Sequence, residues 1–107
     1  MNAVAEVTTT EFDEKALQAK GLVLIDFSAT WCGPCRRMAP EFEAAAEELK
    51  GQVTFLKVDV DQDPEVASRY GVQSIPNLTF LKEGKVVDTV IGAISKAAIV
   101  SRAKANL

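Results

Sequence analysis

The sequence reads as an α/β protein: a central mixed sheet of five strands flanked by four helices. Three observations predict this class. Leu22-Val23-Leu24-Ile25-Asp26-Phe27 is a continuous β-rich apolar run, the pattern of a strand covered on both faces. A segment of helical period separates it from a second run, Val53 to Val60, and such a crossover joins parallel strands in the right-handed sense. Further on, Leu78 to Leu81 and Lys85 to Val90 are strand-like runs joined through Glu83-Gly84, the signature of an antiparallel hairpin.

The elements follow in order. A short strand around Ala5 to Thr8 precedes a helix over Thr10 to Ala19, with Phe12, Ala16 and Ala19 on one side. After the central strand, Met38, Phe42, Ala45, Ala46 and Leu49 recur at helical spacing, while Glu41, Glu43, Glu47, Glu48 and Lys50 take the other face. This predicts a long helix running to Gly51, its acidic face solvated. Pro34 suits the first turn, whereas Pro40 falls inside, where it removes one backbone bond and is expected to bend the axis. Asp63-Pro64 reads as an N-cap followed by proline at the first helical position, and Gly71 as the stop of a short helix. Ser95 is placed to cap a last helix carrying Ile99, Val100 and Ala103. The order is βαβαβαββα, without repeat or linker, so residues 1–107 are expected to form one domain.

Composition narrows the function. With 107 residues and 48% apolar content, the chain is long enough for one core and too short for two. A net charge of −3 gives no basic patch, so nucleic-acid binding has no compositional support and proteins are the expected partners. Met1 to Thr10 has neither a basic start nor an apolar stretch, and no segment approaches the roughly 20 apolar residues that span a bilayer. A soluble cytoplasmic protein is the expectation. The absence of histidine removes Cys–His hydrolysis, His-ligated zinc and imidazole base catalysis.

The chemistry concentrates in Trp31-Cys32-Gly33-Pro34-Cys35, which sets the two cysteines three apart where strand gives way to helix. As a mere staple so short a ring would contribute about 2 kcal/mol on the chain-entropy model, which a core of this size does not need. In a reducing compartment such a pair is more often catalytic or metal-binding. Two thiolates cannot complete a tetrahedral zinc site, but a dimer pooling four around zinc or an iron–sulfur cluster stays open. The helix start offers unpaired N–H groups and a positive dipole end, both favouring a thiolate at Cys32, which is expected to be exposed. Cys35, one turn on, is placed to attack a mixed disulfide on Cys32. The pair reads as a thiol–disulfide exchange centre.

This pentapeptide, the element order and Ile75-Pro76 before the hairpin resemble the thioredoxin family over essentially the whole chain. The resemblance implies the thioredoxin fold and a protein-disulfide reductase with no bound cofactor. It also implies a monomer re-reduced by a thioredoxin reductase, either an NADPH-dependent flavoprotein or a ferredoxin-linked enzyme. Gly33-Pro34 between the cysteines goes with a reducing potential in the family. By the same resemblance Cys32 is the attacking nucleophile, Cys35 the buried resolving thiol, Asp26 its proton acceptor and Lys57 the partner of Asp26. Taken alone, Asp26 could be a strand-end or satisfied structural acid, and Lys57 a surface lysine.

The family also has a cis proline at Pro76, with the preceding backbone, here Ile75, pairing to an extended substrate segment. Trp31, Gly33, Pro34, Ile75, Pro76, Gly92 and Ala93 would then form a small apolar landing surface. Without the resemblance Trp31 fits a core aromatic, Pro76 a trans strand starter and Gly92 a bend. The sequence departs from the family pattern at Ser28, where tryptophan is common, and at Asn77, where threonine is frequent. Arg36 and Arg37 stand where a lysine is usual and would favour acidic rims on partners. Two further readings stay open: a dedicated redox partner of the same fold, and a binding module whose thiols are incidental.

Overall fold

Strand β2 (Leu22–Ser28) is buried along its whole length in the computed structural model, which describes residues 3–107. Met1 and Asn2, the start of the stretch read above as lacking a signal segment, lie outside the described residues. Parallel to β2 runs β3 (Val53–Asp59), and β1 (Val4–Glu6) pairs parallel with β3. On the other side β4 (Asn77–Lys82) is antiparallel to β2, and β5 (Lys85–Ile91) is antiparallel to β4. The sheet order is β1-β3-β2-β4-β5, mixed as its sequence predicts.

Side chains alternate across a strand, and β2 shows which helices cover which face. Leu22 and Leu24 pack with Met38 and Phe42 of α2 (Gly33–Glu48) and with Ile99 and Ala103 of α4 (Lys96–Ala105). Val23, Ile25 and Phe27 pack on the opposite side. Their partners are Phe12 and Ala16 of α1 (Thr9–Phe12, continued by a π-helical turn over Asp13–Leu17) and Val66 of α3 (Pro64–Arg69). By parity Asp26 and Ser28 therefore point towards α2.

Several boundaries differ from expectation, and the reasons are capping interactions. The first strand ends at Glu6 rather than Thr8, because Thr8 opens α1 and its N–H donates to Glu11 Oε1 at 3.0 Å. The first helix ends at Leu17 rather than Ala19, in a wide turn where Gln18 N donates to Asp13 O at 3.0 Å. Helix α2 stops at Glu48, short of Gly51, and continues through Pro40, whose ring nitrogen cannot donate to the Arg36 carbonyl. β3 ends at Asp59, one residue early, while β4 and β5 each extend beyond the predicted runs.

Two acids work across elements rather than within them. Asp63 precedes α3 as expected, yet its Oδ1 accepts from Thr9 N at 2.8 Å and Thr9 Oγ1 at 3.1 Å, capping α1 instead. The acidic face of α2 is not simply solvated either. Glu41 Oε1 accepts the Lys96 N–H at 2.8 Å, and Glu48 pairs with Lys96 Nζ at 3.1 Å, so α2 helps to cap α4 alongside Ser95, whose Oγ accepts from Ala98 N at 3.2 Å. The hairpin turn is as read: Glu83 (φ 52) and Gly84 (φ 79) both adopt the left-handed conformation of a two-residue turn.

Candidate active site

Cys32 caps α2 just past the C-terminal end of β2, with extended backbone (φ −84, ψ 111), and its Sγ accepts the Cys35 N–H at 3.2 Å. A sulfur in this position faces the unpaired donors of the first helical turn, which favour negative charge on it. The two cysteines form a disulfide, with Cα atoms 5.2 Å apart. Both are 4% exposed, which corrects the expectation that the first sulfur is open to solvent. Ala29, Val60 and Ile75 pack around the pair, and the Ile75 carbonyl lies 4.0 Å from Cys32 Sγ.

The rim is built by the segment before β4 and the end of β5. The Ile75–Pro76 bond is cis. Pro76 is buried, and its carbonyl accepts the Gly92 N–H at 2.9 Å, holding Gly92 (φ 101) in a turn that only glycine adopts readily. Of the expected landing surface, Trp31, Pro34 and Ala93 are exposed, while Gly33, Ile75 and Gly92 are half-buried. Pro76 alone of that set is buried, its carbonyl engaged by Gly92. Trp31 is no core aromatic: it is 67% exposed, and its Nε1 donates to Asp61 Oδ2 at 2.7 Å. Arg36 Nη1 donates to the Thr30 carbonyl at 2.9 Å, folding its guanidinium back beside the motif.

Two rim residues escaped the sequence reading. Ile91, 65% exposed beside Gly92, could have been found from alternation with Val87 and Thr89 along β5. Asp61 sits in an acidic loop with no signal of its own.

Beneath the helix lies a row of charged residues across three strands. Asp26 on β2 is opposite Lys57 on β3, which is opposite Glu6 on β1. Asp26 is 2% exposed, so a solvent-facing strand end is ruled out. Burial pushes its carboxyl up from 3.8 to about 7, and the Lys57 charge offsets this only in part. One cavity of about 190 Å³ is walled by Asp26, Lys57, Ala39, Glu6 and Glu43, and a second of about 180 Å³ by Cys35, Ser28, Ala39 and Lys57. The structure thus brings Cys32, Cys35, Asp26 and Lys57 together under the head of α2. Among the described residues no cluster of three or more potential metal ligands occurs, and no helix is long and apolar enough to cross a membrane. Asn77 is buried, its Oδ1 accepting from Thr79 Oγ1 at 2.7 Å, on the face away from the cysteines.

Comparison with known proteins agrees with this geometry. Residues 3–105 match the family model described as Thioredoxin. The chain is 43% identical over 99 residues to Thioredoxin 1 of Nostoc sp. and 44% identical over 99 residues to Thioredoxin 1 of Synechococcus elongatus, covering 92% of both chains in each case. It is 41% identical over 99 residues to Thioredoxin of Porphyra purpurea, again over 92% of both. With this similarity running nearly end to end, and with its cysteine pair closing at the head of α2, the chain belongs to the thioredoxin family and is a protein dithiol–disulfide oxidoreductase.

Proposed function

We propose that the chain is a general protein-disulfide reductase of the cytoplasm, a single-domain monomer that donates electrons to cytoplasmic reductases and is re-reduced by a thioredoxin reductase. The observation that carries the reading is Cys32 Sγ at the N-cap of α2, where it accepts the Cys35 N–H at 3.2 Å. In the reduced protein the Cys32 thiolate attacks one sulfur of a substrate disulfide. The substrate S–S bond breaks, one substrate sulfur leaves as a thiolate, and the other is held on Cys32 as a mixed disulfide. Cys35 then loses its proton and attacks Cys32 Sγ, releasing the second substrate thiol and closing the Cys32–Cys35 disulfide. Two electrons pass from the pair to the substrate.

Asp26 accepts the Cys35 proton, and Lys57 opposite it stabilises the carboxylate form. Trp31, Gly33, Pro34, Gly92 and Ala93 receive the substrate. The Ile75 backbone pairs with it as an added strand, held in place by the Pro76–Gly92 hydrogen bond. The reading is tested by insulin reduction with dithiothreitol. Cys32→Ser is expected to abolish turnover, and Cys35→Ser to accumulate covalent adducts with substrate. A Cys32→Ser protein as active as the wild type would leave the thiols incidental and the chain a binding module.

A further inference from the structure

Helix α2 opens with Gly33-Pro34-Cys35-Arg36-Arg37, and both arginines are exposed. Side chains on a helix lean towards its N-terminus, so the residue one turn on covers the position four before it. Gly33 has no side chain to fill that place. Arg37 reaches into it, since a Cβ at position 33 would lie 3.6 Å from Arg37 Nη1. The guanidinium therefore hangs over the glycine next to Cys32, on the rim that faces incoming substrate.

The charge held there has no partner within the protein. Among the described residues neither Arg36 nor Arg37 forms an ion pair. Arg36 is turned aside, its Nη1 donating to the Thr30 carbonyl at 2.9 Å. For Arg37 the acid at helical spacing is Glu41, but Glu41 Oε1 is engaged by the Lys96 N–H at 2.8 Å, and no acid precedes it in α2. On the other flank of the motif Asp61 accepts from Trp31 Nε1 at 2.7 Å. The rim is thus polarised, with a free cation over Gly33 and an acid beside Trp31. The whole chain carries −3 and repels anions at a distance, so any preference for them has to come from this local charge.

We propose that Arg37 selects disulfide substrates that carry a carboxylate beside the reacting cysteine. The inference rests on the reading of Gly33 and its neighbours as the surface that receives substrate. A substrate sulfur captured by Cys32 brings its flanking residues over Gly33, within reach of the guanidinium. That planar fork donates two parallel hydrogen bonds to one carboxylate, a geometry that lysine does not reproduce. Arg37 takes no part in the exchange of sulfur bonds. It is a specificity residue, and its effect belongs to the capture of substrate, not to the resolving attack by Cys35.

The test uses three short peptides that differ only in the residue on both sides of a single cysteine, which is glutamate, glutamine or lysine. Each cysteine is joined through a disulfide to thiopyridine. Attack of the Cys32 thiolate on the peptide sulfur expels thiopyridone, and its absorbance gives the rate of capture. The reduced wild type is expected to capture the glutamate peptide about fivefold faster than the glutamine peptide, the upper end for an exposed ion pair, and the lysine peptide slowest. The spread should shrink as salt is added. Arg37→Gln is expected to bring the three rates together, and Arg37→Lys to keep their order with a smaller spread. Arg37→Gln slowing all three peptides alike would show that the guanidinium acts on Cys32 and does not read the substrate, which overturns the proposal. Wild-type rates indifferent to the flanking charge would overturn it too. In either case continued reduction of insulin leaves the reductase reading intact, whereas a wild type that captures no peptide and reduces no insulin removes both.

Discussion

In the unfolded chain Asp26 ionises near 3.8, but inside the sheet it keeps its proton until about 7. Between those values the native state binds more protons than the unfolded state, so stability falls as pH rises through the window and stays lowered above it. Three units at 1.36 kcal/mol each put the cost of the buried carboxylate at about 4 kcal/mol. Asp26→Asn is therefore expected to be more stable than wild type by up to that amount in mild alkali, with the gain disappearing towards the ordinary carboxyl range. Urea titrations across pH check this, and a gain that does not change with pH would contradict it. At this scale the sequence was most legible where chemistry is local, as with a cysteine pair at a helix start or an acid inside an apolar strand. The burial of Cys32 to 4% exposure was not legible, because its cover comes from Ile75, far along the chain, which only the family resemblance set beside the motif. Nor were the unpaired buried oxygens Ser28 Oγ and Asp26 Oδ1, which depend on what α2 places opposite them.

Helices and strands were legible through their periods, and their ends less so, because the caps come from other elements. Asp63 looks like a cap for the helix it precedes and serves Thr9 instead. Glu41 looks like one more acid on a wet face and instead receives the first N–H of α4. A carboxylate at a helix N-terminus satisfies an orphan donor and meets the positive end of the dipole. Glu41→Ala is expected to cost about 1 kcal/mol in urea denaturation and to lower the hydrogen-exchange protection of the first turn of α4. An unchanged midpoint with unchanged exchange would mean that Ser95 alone holds that helix start. Because α2 also carries the cysteines, this contact ties the last helix to the helix that positions the reactive pair.

The whole molecule places its one reactive pair at the end of the central strand, with the parallel half of the sheet on one side and the hairpin on the other. That arrangement bears on the four-thiolate dimer left open by the sequence. Zinc–sulfur bonds are about 2.3 Å long, so two copies would have to bring both pairs to one ion. Each pair here is recessed, 4% exposed under Ile75 and beside the projecting Trp31. The reduced protein is thus expected to sediment as a monomer of 11.5 kDa, free of stoichiometric zinc or iron. Twice that mass together with bound metal would refute this. The chain has a single tryptophan, Trp31, next to Cys32 in sequence with its indole nitrogen tied to Asp61. Its emission is expected to rise when the Cys32–Cys35 bond is reduced, so that a fluorimeter follows the electron count with no dye attached; emission that does not change on reduction would show that the indole held by Asp61 stands clear of the sulfurs.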